Sequence, residues 1–224
     1  MTVILVRHGR STANTSGVLA GRTPGVALDE KGRAQARDLV ERLGDAVPRL
    51  RALARSPLQR CAETIEPLVT HLDGVREVTV DALAEVDYGE WSGRKLTELV
   101  SEPLWKVVQR QPSHAVFPGG EGLGDVSRRA TAAMRELDRE YAGDDGNGLW
   151  LACSHGDVIK SIVADALGMH LDAFQRIVVD PGSITVIRYA ADRPYVLTLN
   201  NSGSLTLPAS RPTSDAEVGG GAGA

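Results

Sequence analysis

Apolar residues along this chain follow two spacings. Val3, Ile4, Leu5 and Val6 form an unbroken apolar run close to the N-terminus, and Leu149, Trp150, Leu151, Ala152 and Cys153 form a second one far along the chain. Short apolar runs bounded by polar, glycine-bearing segments predict buried strands. Residues 51–55 and 78–80 predict two weaker strands, and residues 183–189 and 195–199 predict a terminal hairpin or a pair of edge strands. Between the strands the spacing turns helical. One helix is predicted from an Asp29 N-cap to Leu43, with Gly44 as the residue after its end. Ser56 and Pro57 predict the N-cap and first position of another, which lines up Leu58, Cys61, Ile65, Leu68 and Leu72 on one face. Pro67 should kink that helix or mark its last turns.

The stretch 81–93 is too irregular for a regular element, and a helical segment is predicted from about Leu96 to Val108. Val126, Ala130, Met134, Leu137 and Tyr141 share a helical face, as do Val158, Ile159, Ile162, Val163 and Ala166 before a stop at Gly168. Strands alternating with amphipathic helices predict an α/β domain: a mostly parallel sheet flanked by helices in a three-layer sandwich. The expected domain spans residues 1–207. From Pro208 to 224 Pro, Ser, Gly and Ala dominate with no apolar period, which predicts a disordered tail.

Composition narrows the function. The 224 residues carry a net charge of −4 without a basic stripe, which argues against a nucleic-acid partner. No apolar run approaches the roughly 20 residues of a membrane span, and no signal-peptide core is evident, so a cytoplasmic protein is expected. Cys61 and Cys153 have no metal-ligand spacing and read as small buried residues. The acidic turn at residues 143–148 lacks the register of a calcium loop. No metal or other cofactor is expected. The oligomeric state is left open, a homodimer included.

The chemistry sits at strand ends. Arg7, His8 and Gly9 close the first apolar run, and Ser154, His155 and Gly156 close the later one. In open α/β sheets ligands bind at the carboxyl ends of the strands, so two histidines placed this way can face one pocket. Arg55, Ser56 and Pro57 end a third strand, with Arg60 one turn into the following helix. Two guanidiniums and two imidazoles around one point would hold a phosphoryl group and stabilise its oxygens during transfer. A histidine with one ring nitrogen free and the other tied to an acceptor is a competent phosphoryl nucleophile, and His8 is the candidate. Taken alone, His155 reads more readily as a satisfied polar residue; recurrence of the pattern at several strand ends favours the catalytic reading.

The segment Arg7-His8-Gly9-Arg10-Ser11-Thr12-Ala13-Asn14 resembles the R-H-G-x-[ST]-x-x-N signature of the histidine phosphatase superfamily, the phosphoglycerate-mutase-like proteins. Later segments match in the family's order: Leu28 to Gly32 with Gln35 and Ala36, Ser56 to Cys61 with Thr64, Leu83 to Glu85 with Tyr88-Gly89 and Trp91-Ser92-Gly93, and Ser154 to Gly156. The resemblance implies that His8 becomes phosphorylated and that Arg7, Arg60 and His155 bind the phosphate. It implies that Glu85 protonates the leaving oxygen and later activates water. It places Ser11, Asn14 and Gly21 along the phosphate-side loop. Arg22 stands beside them, as a substrate contact or as an ordinary surface arginine. Trp91 could wall the pocket, core packing being the stronger account.

Departures from the family pattern bear on the reaction. Asp29 replaces the usual threonine, exchanging one N-cap for another. Gly122 replaces the serine of a Gly-Glu-Ser segment. Val86 follows Glu85 where the glycerate mutases have arginine, which leaves one cation fewer for a substrate carboxylate. The expected activity is metal-independent hydrolysis of a small phosphorylated metabolite through a phosphohistidine. The alternative is a phosphomutase of the same mechanism, and the rival of another class is a silent sensor of phosphorylated ligands.

Overall fold

The computed structural model describes residues 1–141, 143 and 148–207 of the chain. The elements run β1 (Thr2–Arg7), α1 (Thr12–Ser16), α2 (Glu30–Leu43), β2 (Leu50–Arg55), α3 (Gln59–His71), β3 (Arg76–Thr79), α4 (Leu96–Leu99), α5 (Pro103–Arg110), α6 (Leu123–Tyr141), β4 (Leu149–Ser154), α7 (Gly156–Ala166), β5 (Ile184–Tyr189) and β6 (Pro194–Asn201). The six strands form one sheet in the order β3-β2-β4-β1-β5-β6. The first four of that order are mutually parallel, while β5 runs antiparallel to β1 and β6 antiparallel to β5.

The unbroken apolar runs follow from burial on both faces. Ile4 and Val6 of β1, with Leu151 and Cys153 of β4, pack against Leu39 and Leu43 of α2 and Ile65 and Leu68 of α3. Val3 and Leu5, with Trp150 and Ala152, pack on the other side against α6 and α7 through Met134, Ile159 and Val163. Side chains alternate across a strand, so each central strand must be apolar at every position to satisfy both layers.

Local signals explain most boundaries. Asp29 caps α2 by accepting from the Gly32 N–H at 2.8 Å, and Gly44 closes it at φ 49°. Asp29 also ties down the loop after β1, accepting from Arg10 Nε and Thr15 Oγ1, both at 2.6 Å. Burial alone would push its carboxyl up, but the Thr15 hydroxyl, the Gly32 N–H and Arg10 together hold it at about 2.

Two expectations need correction. Helix α3 begins at Gln59 with Leu58 at its cap, two residues later than Ser56 and Pro57 predict. Ser56 Oγ accepts only a long 3.3 Å bond from Leu58 N, its short contact being to His155. The predicted helix from Leu96 to Val108 is two helices, α4 and α5. The proline at 103 disfavours helical backbone in the residue before it and starts α5 at its first position. Pro67 lies within the later turns of α3. Most of the acidic turn and the tail from Pro208 lie outside the described residues.

Candidate active site

Strand register brings the two histidines together. In the parallel pair β1 and β4, Arg7 lies opposite Ser154, so His8 and His155 leave the sheet side by side, with ring centroids 5.1 Å apart. Opposite them β2 pairs Arg55 with Cys153, which sets Ser56 beside Ser154. Ser56 Oγ lies 2.7 Å from His155 Nε2. The residue that sequence reasoning assigned to a helix cap therefore orients a ring.

The turn after β1 needs its glycine. A Cβ on Gly9 would come within 2.7 Å of the Gly32 carbonyl at the start of α2. The Gly9 N–H donates to Thr64 Oγ1 at 2.9 Å, and its carbonyl lies 2.7 Å from His8 Nδ1. That contact makes Nδ1 the protonated nitrogen and leaves the Nε2 lone pair as the reactive one, an assignment drawn from the hydrogen-bond network. Among the described residues Nε2 receives only the Nε–H of Arg60, at 3.2 Å. Arg60, buried in the first turn of α3, also donates Nη2 to the Gly21 carbonyl at 2.8 Å. Gly21 holds that carbonyl inward at φ 51°, a conformation that favours glycine.

Arg7, His8, Ser11, Asn14, Gly21, Arg60 and Glu85 line one cavity of about 350 Å³. His155 lies behind His8, fully buried. Arg7 donates Nη1 to the Val179 carbonyl at 2.6 Å, but its Nε and His155 Nδ1 are buried without a hydrogen-bond partner. A buried donor left unmade costs about 1–3 kcal/mol, which an anion's oxygens would recover. Ser11 and Asn14 cap α1 reciprocally: Ser11 Oγ accepts from Asn14 N at 3.2 Å, while Asn14 Oδ1 accepts from Ser11 N at 3.0 Å and from Ser11 Oγ at 2.9 Å.

Electrostatics divides the titrating groups by role. Burial, then Arg60 and Arg7, pushes His8 well below the usual histidine value, and burial with the same cations does so for His155. Both rings are neutral at pH 7. Burial and then the Asp157 carboxylate push Glu85 up from 4.5 to about 7, against the opposing pull of Arg60, the Val86 N–H and Arg7. Glu85 Oε1 accepts from Val86 N at 3.0 Å, and Oε2 lies 3.9 Å from His155 Nδ1. A neutral nucleophilic ring and a carboxyl that titrates near neutrality share one cavity.

Arg22 does not line that cavity. It donates Nε to the Glu85 carbonyl at 2.9 Å and Nη2 to Glu121 Oε1 at 2.8 Å. Arg129 joins the same group, donating to both Glu121 oxygens and to the Ala82 and Glu85 carbonyls. The pair braces the Glu85 backbone from behind. Trp91 is 3% exposed and packs in the core, yet it also edges a second cavity next to the first. Sequence reasoning missed Asp157, Lys160 and Gln175 on the cavity wall. Asp157, in the first turn of the helix behind His155, was the most findable of them; Tyr88 Oη donates to its Oδ2 at 2.9 Å. Among the described residues no three His, Cys, Asp or Glu side chains cluster as metal ligands, and no helix is long and apolar enough to cross a membrane.

The family model described as the histidine phosphatase superfamily (branch 1) matches residues 3–202. A 2,3-bisphosphoglycerate-dependent phosphoglycerate mutase of Brucella melitensis is 28% identical over 204 residues, covering 85% of this chain and 93% of that protein. The alpha-ribazole phosphatase of Shigella flexneri superposes with a TM-score of 0.80 at 23% identity, covering 93% of this chain and 100% of the other. A mycobacterial glucosyl-3-phosphoglycerate phosphatase gives 0.80 at 22% identity, over 90% of this chain and 99% of its own.

Proposed function

The chain belongs to the histidine phosphatase superfamily (branch 1), and from that premise we propose that it hydrolyses phosphomonoesters through a phosphohistidine on His8. The observation that carries this reading is the pairing of His8, its Nδ1 held by the Gly9 carbonyl, with a Glu85 carboxyl raised to about 7. The His8 Nε2 lone pair attacks phosphorus as the bond to the leaving oxygen breaks, and Glu85 gives that oxygen its proton. The Gly9 carbonyl stabilises the Nδ1–H of the phosphorylated ring. Water then attacks phosphorus, the carboxylate of Glu85 takes its proton, and the N–P bond returns its electrons to Nε2.

Arg7, Arg60 and His155 act as donors to the phosphoryl oxygens, with Ser11, Asn14 and Gly21 forming the near wall. Arg60 Nε must leave His8 for a phosphoryl oxygen as substrate enters, which frees the lone pair in the same movement. These fixed cations and dipoles do the work that a metal does in other phosphatases.

The similarity to a mutase favours a second reading, in which an alcohol rather than water accepts the phosphoryl group. Two features put water ahead. Val86 is completely buried, so the position after Glu85 offers the cavity no cation. Of the cations on the cavity wall, Arg7 and Arg60 serve the phosphoryl group, and Lys160 donates to Asp157 Oδ1 at 3.3 Å and Gln175 Oε1 at 3.0 Å. Assays of the purified protein with 2- and 3-phosphoglycerate, with a bisphosphoglycerate primer, and with several small monoesters separate the two. Release of inorganic phosphate without interconversion is expected, and primer-dependent interconversion faster than phosphate release would establish the mutase.

A further inference from the structure

We propose that the alcohol released from the substrate is uncharged and aromatic, seated in an apolar cavity that opens off the phosphoryl site between Trp91, Trp105, Val108 and Phe117. The inference rests on the phosphatase reading above and names the substrate class for the same site. This second cavity holds about 300 Å³ and shares Leu19, Tyr88, Leu96, Asp157, Lys160 and Gln175 with the first. The two therefore adjoin across these side chains. A molecule whose phosphate lies among Arg7, His8 and Arg60 has its ester oxygen near Glu85 and its remaining atoms directed to the shared wall.

The walls beyond that point specify what fits. Trp91 and Trp105 stack with their planes 26° apart, and Phe117 meets Tyr88 edge-on with centroids 4.9 Å apart. Ring faces and edges fixed in this way favour a further aromatic ring, offset or edge-on, over a flexible polar chain. Val108 and Leu96 extend the apolar part of the lining, with Gln109 as the polar residue that this cavity does not share with the first. Trp105 keeps partial exposure, so the cavity has an open side.

Charge removes the main competing class. The cations lining the two cavities are Arg7, Arg60 and Lys160. Lys160 is held by Asp157 and Gln175 and lies 5.5 Å over the Phe174 ring, so among the described lining residues no unpaired cation stands ready for a second anionic group. A carboxylate or second phosphate on the leaving group would instead face Glu85 and Asp157. Compact acids such as phosphoglycerate are poor matches for this wall.

The test compares kcat/KM for 2-phenylethyl phosphate, propyl phosphate and 3-phosphoglycerate, three alkyl esters that all need a proton on the leaving oxygen. An apolar pocket discriminates by about tenfold or more per well-buried increment of surface, so 2-phenylethyl phosphate should lead propyl phosphate by at least that factor, with 3-phosphoglycerate last. Val108→Trp, which fills the cavity, should collapse the ratio of the first two towards one, and Trp105→Ala, at a half-exposed position, should lower it. A wild-type ratio near one, or 3-phosphoglycerate ahead of propyl phosphate, overturns the inference and leaves the phosphatase reading standing. If none of the esters releases phosphate from folded protein, the phosphatase reading itself fails.

Discussion

Asp157 is the most informative residue to change, because it acts on the reaction through the acidity of Glu85. Its carboxylate stands second only to burial in raising Glu85 to about 7. Replacing it by asparagine removes that charge and so lowers the Glu85 pKa, while Lys160, which it pairs with at 3.3 Å, keeps its bond to Gln175. The amide can still accept the Tyr88 hydroxyl, which limits the structural disturbance. A nearby like charge commonly shifts a carboxyl by about one pKa unit or more. At pH 8 a Glu85 that titrates at about 7 is protonated about a tenth of the time, and lowering it by one unit leaves about a hundredth. Expulsion of an alkoxide needs that proton, so kcat/KM for propyl phosphate at pH 8 should fall about tenfold, while at pH 5.5 it should change little. The alkaline limb of the profile should move down by about one unit. An aryl ester such as p-nitrophenyl phosphate, whose leaving group departs without a proton, should show a much smaller shift. A propyl phosphate profile for Asp157→Asn that superposes on the wild type would show that Asp157 does not set the acidity of Glu85.

His8→Ala should fold normally and lose at least about ten thousand-fold in kcat, since no neighbouring side chain can take the in-line position; phosphate release by the purified variant checks this. Glu85→Gln should cost more with propyl than with p-nitrophenyl phosphate, and equal losses would remove Glu85 from the general-acid role. The same variant should raise stability at pH 8. A carboxyl lifted from 4.5 to about 7 destabilises the fold progressively as it ionises above pH 4.5, by up to about 3 kcal/mol once fully ionised, and glutamine escapes that cost. Thermal melts at pH 8 and pH 4 should show the gain only at the higher pH. Turnover should survive EDTA, and activity lost to the chelator and restored by a divalent ion would count against an active site built from arginine and histidine.

Much of this architecture was legible because it is encoded locally. The apolar runs of β1 and β4 had to be buried on both faces, and Asp29 and Gly44 mark the two ends of α2 by their own backbone and side-chain preferences. Each histidine lies one residue beyond an apolar run, after Arg7 and Ser154, so parallel pairing was enough to bring them together. What escaped depends on distant segments. Ser56 carries the local signature of a helix cap, but the carboxyl end of β2 places its hydroxyl against His155, and no local pattern announces that. Arg22 stands beside the phosphate loop in sequence, where a substrate contact and a surface residue look alike. Glu121, ninety-nine residues away, draws it into the brace behind Glu85. The wall of Asp157, Lys160 and Gln175 comes from α7 and the turn after it, and its meeting with Tyr88 is a property of the assembled fold. The single helix expected from Leu96 breaks ahead of Pro103, whose ring disfavours helical backbone in the residue before it.

The central claim is that His8 Nε2 carries the phosphoryl group during turnover. Rapid quenching of the Glu85→Gln protein with p-nitrophenyl phosphate, followed by mass spectrometry of its peptides, tests it directly, because this variant should form the intermediate from a good leaving group and hydrolyse it slowly. An acid-labile, base-stable phosphoryl group is expected on the peptide containing His8 and absent from the His8→Ala protein. A phosphoryl group on another residue, or turnover by folded His8→Ala protein at a rate near wild type, would contradict it.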